Sequence, residues 1–281
     1  MINKFLGVQN TEQPERLPLG ALVQADNVQI TKTGMIEHRP LETKVFTTTN
    51  ITASYGTDDQ TVIFYVDNGS LYAMTGTSVQ LLYTSLFNTT PVYWCEESAQ
   101  LVFFIGGGRA GYIKNKSEVV LLESVNSSVI GCAYHNGMLV LAIDNNGQTF
   151  ILMSKPYEYD QYYDNESGFF IPNRVTCLRS VSGNLIITTL SNIYVLDVND
   201  NLLRLADFGT PLGKTITVYN NVAYIWTNEG LCRFPEFENL TKDNVSVPPG
   251  LQCCINLFEY NGNRYALALT DGGGFSDNSV G

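Results

Sequence analysis

Basic residues and histidine are scarce in this chain. Its 281 residues include 16 lysines and arginines and two histidines, against 27 aspartates and glutamates. The formal net charge is −11, so tight nucleic-acid binding, which needs basic side chains at the phosphates, is not expected. A Ser-His-Asp site would have to use His38, in the N-terminal segment, or His135, beside a predicted hairpin turn. We expect both histidines to be structural and the protein not to be an enzyme.

Cysteine pairs with metal-binding spacing are also missing. The six cysteines contain no Cys-x-x-Cys pair, and only two histidines are present as nitrogen ligands. Four cysteines fall in the strand that precedes the first hairpin of a repeat described below, where small buried residues are expected: Cys95, Cys132, Cys177 and Cys254. The first ten residues lack the apolar segment of a signal peptide. We therefore expect reduced cysteines, no metal and no cofactor, in a protein made in the cytoplasm.

Long apolar runs and helical periodicity are absent as well. No run of about 18 apolar residues occurs, so no membrane-spanning helix is expected. Between residues 51 and 269 no apolar pattern keeps a helical period. With 44% hydrophobic and 15% charged residues, the chain is predicted to be a compact, almost entirely β domain.

A strand-turn-strand unit repeats six times after residue 51. Its clearest copy is an apolar run at residues 61 to 66, a turn at 67 to 70 and a second apolar run at 71 to 74. Turn residues that mark the six copies lie at positions 69, 108, 147, 191, 230 and 272, so their spacings are 39, 39, 44, 39 and 42. A period of about forty residues is typical of one propeller blade.

The apolar pattern agrees with stacked blades. In the best copy the central strand is apolar on both faces, with Val62, Phe64 and Val66 alternating with Ile63 and Tyr65. A sheet with one wet face would alternate apolar and polar residues, whereas a blade between two neighbours is covered on both sides. The sequence therefore predicts an all-β, six-bladed β-propeller.

We expect strands from the N-terminal part of the chain to complete the sixth blade and so close the ring of blades. The sixth copy has a strand at residues 264 to 269 and lacks a third strand, while spare strands are predicted at 23 to 30 and 41 to 46. Pairing these strands with the last blade would leave no open edge; the alternative is that residues 1 to 48 form an arm that docks on a partner. The predicted divisions are an arm at 1 to 20, one propeller domain at 21 to 270 and a flexible tail at 271 to 281.

Residues 197 to 201 imitate the start of a calcium-binding loop. The glycine that should follow is missing, and Phe208 stands where the loop needs a glutamate. A hairpin turn is expected there.

One aromatic segment breaks the repeat and accounts for its widest spacing. Residues 155 to 170 contain four tyrosines and two phenylalanines, which are too many for a wholly solvated loop, and these residue types are frequent at protein interfaces. The alternative is that the rings fold back on their own blade. The candidate interface residues are Tyr157, Tyr159, Tyr162, Tyr163 and Phe169.

The N-terminal part resembles virion propeller proteins of tailed bacteriophages. The resemblance lies in residues 5 to 8 (Phe-Leu-Gly-Val), 17 to 21 (Leu-Pro-Leu-Gly-Ala), 25 to 30 (Ala-Asp-Asn-Val-Gln-Ile) and 34 to 40 (Gly-Met-Ile-Glu-His-Arg-Pro). The chain departs from the family pattern at Gln29, where aspartate is frequent, and at Leu41, where glycine is usual. These departures leave the predicted fold intact.

The middle of the chain is similar to the same proteins. Residues 154 to 159 (Ser-Lys-Pro-Tyr-Glu-Tyr), 174 to 175 (Arg-Val) and 186 to 189 (Ile-Ile-Thr-Thr) match in order and spacing, and all matches together cover about a third of the chain. The resemblance implies a structural protein of the virion tail or head-tail junction, such as a head-closure ring, tail hub or nozzle. It also implies several copies around an axis, contacts with other tail or connector proteins, and no cofactor.

Two other classes remain open. A propeller can serve as a recognition module that binds a glycan or a host receptor on its loop face. An enzyme with carboxylates in the central channel is the third class.

The acidic surface has two possible explanations. It would suit passage of DNA without binding, although acidity also keeps soluble proteins in solution.

Overall fold

The computed structural model of the chain describes residues 7–8, 21–22, 28–30, 36–38, 48, 50–87, 91–106, 109–125, 128–162, 168–242, 250–260 and 263–270. Over these ranges the regular structure consists of β-strands. No helix in them is long and apolar enough to cross a membrane. The predicted arm at 1 to 20 and tail at 271 to 281 fall almost wholly outside these residues.

Four short strands come first. Strand β1 (Gly7–Val8) pairs in parallel with β2 (Ala21–Leu22), and β3 (Val28–Ile30) pairs antiparallel with β4 (Ile36–His38). Six antiparallel sheets follow in chain order, and we call them blades 1 to 6.

Each blade is built from consecutive strands. Blade 1 contains β5 (Ile51–Gly56), β6 (Ile63–Asp67), β7 (Ser70–Thr75) and β8 (Ser78–Tyr83). Blade 2 contains β9 (Val92–Ser98), β10 (Leu101–Gly106), β11 (Arg109–Lys114) and β12 (Glu118–Leu122). Blade 3 contains β13 (Val129–His135), β14 (Met138–Asn145), β15 (Gln148–Lys155), β16 (Glu158–Tyr162) and β17 (Gly168–Ile171).

The remaining blades follow the same order. Blade 4 contains β18 (Val175–Val181), β19 (Asn184–Thr189), β20 (Ile193–Leu196) and β21 (Leu202–Ala206). Blade 5 contains β22 (Ile216–Tyr219), β23 (Val222–Thr227), β24 (Gly230–Phe234) and β25 (Glu238–Asn239). Blade 6 contains β26 (Cys253–Tyr260) and β27 (Asn263–Thr270).

The predicted turn markers that are described, at residues 69, 147, 191 and 230, lie where the second strand of a blade leads into the third. In blade 1 the turn residues Asn68 and Gly69 both have positive φ, at 49° and 75°, which is the conformation that a two-residue hairpin requires. A Cβ atom on Gly69 would lie 2.4 Å from the carbonyl oxygen of Phe87. The glycine is therefore needed for its φ value and for this close approach.

Five apolar clusters, which we call seams 1 to 5, lie between successive blades. Seam 1 joins blades 1 and 2, and seam 5 joins blades 5 and 6. Alternate residues of one strand belong to different seams: Phe104 of β10 packs in seam 1 and Phe103 in seam 2, between blades 2 and 3. In blade 4, Ile187 packs in seam 3 and Ile186 in seam 4. This arrangement explains why the central strands are apolar on both faces.

Blade 1 departs from that pattern on one face. Val62, Phe64 and Val66 are buried in seam 1, as predicted, and Tyr65 is buried on the opposite face. Ile63 is 39% exposed, however, because blade 6 contributes only two strands among the described residues and leaves part of this face open.

Two long-range contacts show that the blades are arranged around an axis. The side chain of Gln60, beside blade 1, donates a hydrogen bond from Nε2 to the carbonyl oxygen of Leu257 in blade 6, at 3.3 Å. Arg179 of blade 4 forms an ion pair with Asp58, beside blade 1. The first and last sheets therefore approach each other, and the first and fourth face each other across the centre.

Closure by the N-terminal strands remains a prediction. Most of the predicted strand at 23 to 30 lies outside the described residues, as does that at 41 to 46, and the described part, β3, pairs with β4. Strand β27 pairs with β26 in a two-stranded sheet.

The cysteines are free thiols. Cys95 and Cys132 are buried, as expected of this position in the repeat, while Cys177 is half-buried. Cys254 is exposed, and the prediction of a buried residue was wrong there because its neighbour Cys253 takes the inward face of β26.

Residues 197 to 201 form the predicted hairpin turn. The carboxylate oxygen Oδ1 of Asp197 accepts hydrogen bonds from the backbone N–H groups of Asn199, at 2.8 Å, and Asn201, at 2.9 Å. These bonds use the acidic side chain to close the turn between β20 and β21.

Candidate functional site

The inner strands of the blades enclose a central cavity of about 460 Å³. The first strand of each blade is the innermost, so consecutive blades bring residues far apart in sequence to one wall. Three cationic residues line the cavity, Arg174, Arg179 and Lys214, together with the aromatic residues Tyr55, Tyr93 and Trp94.

Arg179 lies deep in this wall. Its side chain is 12% exposed and its guanidinium pairs with the Asp58 carboxylate. A second guanidinium nitrogen, Nη1, donates to the Tyr55 hydroxyl at 3.5 Å. Burial raises the pKa of Tyr55, so the phenol stays neutral and serves Arg179 as an acceptor.

Lys214 lies in the adjoining part of the wall. Its Nζ atom is 5.1 Å from the centroid of the Tyr55 ring, which is a cation–π distance. Burial lowers the pKa of Lys214, and the nearby positive charge of Arg179 lowers it further. Two cations are thus held near each other and partly desolvated, an arrangement that an anion would relieve.

Trp94 and Tyr55 form an aromatic wall. Their rings stack with centroids 5.9 Å apart and planes inclined by 10°. The indole Nε1 of Trp94 is buried and has no hydrogen-bond acceptor among the described residues. A buried N–H group without an acceptor costs free energy, so this indole is a locally unfavourable element of the packed wall.

Glu96 is a carboxylate that interacts electrostatically with Lys214. Its Oε1 atom accepts from the backbone N–H of Asp58 at 2.8 Å, and its Oε2 atom is buried without a partner in the described structure. Burial raises the pKa of Glu96 from 4.5 to about 7. Near neutral pH this side chain is therefore partly protonated and repels an anion less than an ordinary glutamate would.

The wall is suited to binding more than to proton transfer between paired groups. The charged residues of the lining are all cations, and the described residues contain no group of three or more His, Cys, Asp or Glu side chains placed to hold a metal ion. His135 lies elsewhere, buried with its Nδ1 atom 2.8 Å from the Ser180 hydroxyl. Burial lowers the pKa of His135.

The aromatic segment forms the last two strands of blade 3, which has one strand more than the four-stranded blades. Strand β16 follows β15 after a tight turn, and β17 returns to pair with the first half of β15. Phe169 packs against seam 3 from the surface. Tyr163 lies outside the described residues.

The tyrosines of this segment differ in exposure. Tyr159 packs edge-on against Phe103, with ring centroids 4.8 Å apart, and together with Tyr162 it borders seam 2. Tyr157 is 74% exposed. The structure therefore covers Tyr159 with its own blades and leaves Tyr157 as the described tyrosine most open to a partner. The interface itself remains a prediction.

Similarity to solved structures identifies the fold. No protein-family model matches the sequence, and no curated protein matches it. The structure of a streptogramin B lyase superimposes with a TM-score of 0.50 at 10% sequence identity, covering 85% of this chain and 82% of that one. The chain is a β-propeller.

Two further propeller-like structures are similar at lower scores. The Dos1 propeller has a TM-score of 0.46 at 12% sequence identity, and the match covers 78% of this chain and 64% of that one. U3-55K has a TM-score of 0.45 at 13% sequence identity, and the match covers 69% of this chain and 62% of that one. This propeller spans less than two thirds of the length of either structure. At these identities the similarity concerns the fold alone.

Sequence reasoning did not find the cavity residues. Arg179 is the one charged residue in β18, whose sequence is Val-Thr-Cys-Leu-Arg-Ser-Val, and that irregularity was the available signal. Lys214 precedes β22 in an ordinary loop sequence, and only the ring brings it to Tyr55.

Proposed function

We propose that this propeller is a non-enzymatic structural component of a bacteriophage tail or head-tail connector. Several copies form a symmetric ring and contact neighbouring tail proteins, and the chain is made in the host cytoplasm before it enters the virion. The N-terminal and mid-chain resemblance to virion propellers supports this role. The observation that carries it is a pair of exposed apolar strands on opposite sides of the propeller.

The first patch is the outer strand of blade 1. Val79 and Leu81 of β8 are 45% and 48% exposed. Their cross-strand partners are Met74 and Tyr72, so both point to the face of blade 1 that seam 1 does not cover. Ile63 lies on the same face, which the two described strands of blade 6 leave partly open, so a neighbouring copy bound to this patch would cover apolar surface that blade 6 does not.

The second patch is the outer strand of blade 4. Leu202, Leu203 and Leu205 of β21 are exposed, and Val198 in the preceding turn is exposed as well. Blade 4 has a seam on each side, so a missing neighbouring blade does not explain this exposure.

The two patches lie on opposite sides because blades 1 and 4 face each other across the cavity. The Arg179–Asp58 ion pair joins the innermost parts of these blades, and β8 and β21 are their outermost strands. A contact between the blade 1 patch of one copy and the blade 4 patch of the next is heterologous, and repeated contacts of this kind close into a ring when the rotation permits. The net charge of −11 suits a ring that DNA passes without binding.

Two substitutions test this contact, Leu81→Glu in one patch and Leu203→Glu in the other. Each is expected to reduce the assembly measured by sedimentation velocity while leaving the melting curve unchanged. An equimolar mixture of the two variants should recover dimers, because the intact blade 4 patch of the first can bind the intact blade 1 patch of the second. Leu190→Glu, at an exposed leucine in the β19–β20 turn, is the matched control and should assemble normally.

The composition of purified virions provides a second test of the contact. Phages that carry Leu81→Glu or Leu203→Glu should yield virions depleted of this protein, as measured by mass spectrometry of purified particles, whereas Leu190→Glu should not. Normal incorporation of both variants would contradict the proposal. A lower melting temperature of Leu81→Glu with unchanged assembly would also contradict it, since its own chain would then cover that face.

A further inference from the structure

The central cavity has the size and wall chemistry of a small-molecule site. A volume of about 460 Å³ lies in the range of pockets that enclose small organic ligands. The lining combines flat aromatic rings with cationic groups, and the lining residues in the described part of the chain include no Asp or Glu.

The charges favour an anion. Arg179 donates from Nη2 to Asp58 and from Nη1 to the Tyr55 hydroxyl, and the remaining N–H donors of its five can hold a further acceptor. Among the described residues no carboxylate forms an ion pair with Lys214, whose charge contacts the Tyr55 ring. Arg174 adds a third, exposed cation to the wall. Asp58 and Glu96 lie beside the cationic pair, but Asp58 is neutralised by Arg179 and burial raises the pKa of Glu96.

The rings favour a flat apolar group next to that anion. Tyr55 and Trp94 stack on each other, and both belong with Tyr93 to the lining of the cavity.

We infer that this cavity binds a small organic anion, in which a phosphate or carboxylate is attached to a flat ring. The anionic group lies between Arg179 and Lys214, and the ring packs on the Tyr55–Trp94 wall. This site is independent of the two outer patches, so it adds a ligand to the structural role proposed above.

Phenyl phosphate is the probe for the experiment. Inorganic phosphate, which carries only the anionic group, and phenol, which carries only the ring, are tested separately for comparison. Calorimetric titration of the full chain should show one phenyl phosphate per chain, bound at least about tenfold more tightly than either half. Lys214→Met should weaken phenyl phosphate at least about tenfold, and Lys214→Arg should retain most of the affinity. Lys114→Met, at an exposed lysine of blade 2 outside the cavity, is the matched control and should bind normally.

Tryptophan fluorescence locates the probe. The chain has two tryptophans, so in a Trp226→Phe background Trp94 reports alone, and its emission should change in step with the calorimetric binding. The Leu81→Glu variant should bind phenyl phosphate like the unaltered protein, which separates this inference from the assembly proposal. Absence of saturable binding by the unaltered chain, equal binding of phenol, equal binding of inorganic phosphate, or normal binding by Lys214→Met would each overturn it.

Discussion

Arg179 and Asp58 form an ion pair across the central cavity although 121 positions separate them in the sequence. The pair joins the fourth blade to the first, which are opposite each other in a ring of six. Because the Arg179 side chain is 12% exposed, its guanidinium has lost most of its hydration and depends on protein acceptors. The pair therefore fixes the width of the cavity as well as the charge of its wall.

Removing one partner of this pair should destabilise the fold. Asp58→Asn is expected to lower the free energy of unfolding by about 1–3 kcal/mol, because it leaves the buried guanidinium without its counter-charge. Urea unfolding measures the change. The exposed pair Arg204–Asp207 provides the control, since Asp207→Asn should cost less than about 1 kcal/mol. If the two substitutions lowered the free energy of unfolding equally, this would contradict the role assigned to Arg179.

Glu96 should make stability depend on pH. The Glu96 carboxyl group keeps its proton up to about pH 7 in the folded chain, whereas it loses the proton near pH 4.5 in the unfolded chain. Between these values the folded state binds more protons than the unfolded state, so stability falls as pH rises through this window. Glu96→Gln should therefore stabilise the protein by about 1–3 kcal/mol more at pH 8 than at pH 5. Urea unfolding at both values is the measurement, and a gain that does not change with pH would refute this assignment.

The tyrosines of the aromatic segment should separate into two groups. Tyr159→Ser removes a ring that packs on Phe103 and should lower the free energy of unfolding by about 2–4 kcal/mol. Tyr157→Ser changes an exposed ring and should cost less than about 1 kcal/mol, while reducing incorporation into particles. Thermal melting and particle composition are measured on the same variants. Normal incorporation of Tyr157→Ser would remove this residue from the interface.

Deletion of residues 1 to 30 tests ring closure. If N-terminal strands complete blade 6, their loss exposes backbone groups and apolar surface together, and the whole propeller should unfold at lower urea concentration. Deletion of the predicted tail at 271 to 281 is the comparison and should have little effect. A deletion variant with unchanged stability would show that the N-terminal residues form a separate arm.

The repeat was predictable because it depends on local sequence. Hairpin turns such as Asn68–Gly69 and apolar runs such as those of β6 and β10 are set by a few neighbouring residues, and their recurrence reveals the blades. Exposure of Ile63 was not predictable in this way, because it depends on how far blade 6 covers blade 1. Exposure of Cys254 depends on which face of β26 turns inward, which the local sequence does not decide.

The cavity required the three-dimensional structure. Tyr55, Trp94, Arg179 and Lys214 come from four blades or their adjoining loops, and no local pattern relates them. The covering of Tyr159 depends in the same way on Phe103, which is more than one repeat earlier in the chain. Aromatic composition alone cannot separate such a packed ring from an exposed one.

The seams also constrain how this sequence can diverge. Each seam is made by two successive blades, so a change of side-chain volume in one blade is best compensated by its neighbour, about forty residues along the chain. Alternate residues of a single strand, such as Phe103 and Phe104, belong to different seams and are free to change independently. Coevolving pairs in relatives of this protein should therefore be spaced by about one repeat, and adjacent positions within a strand should vary without reference to each other.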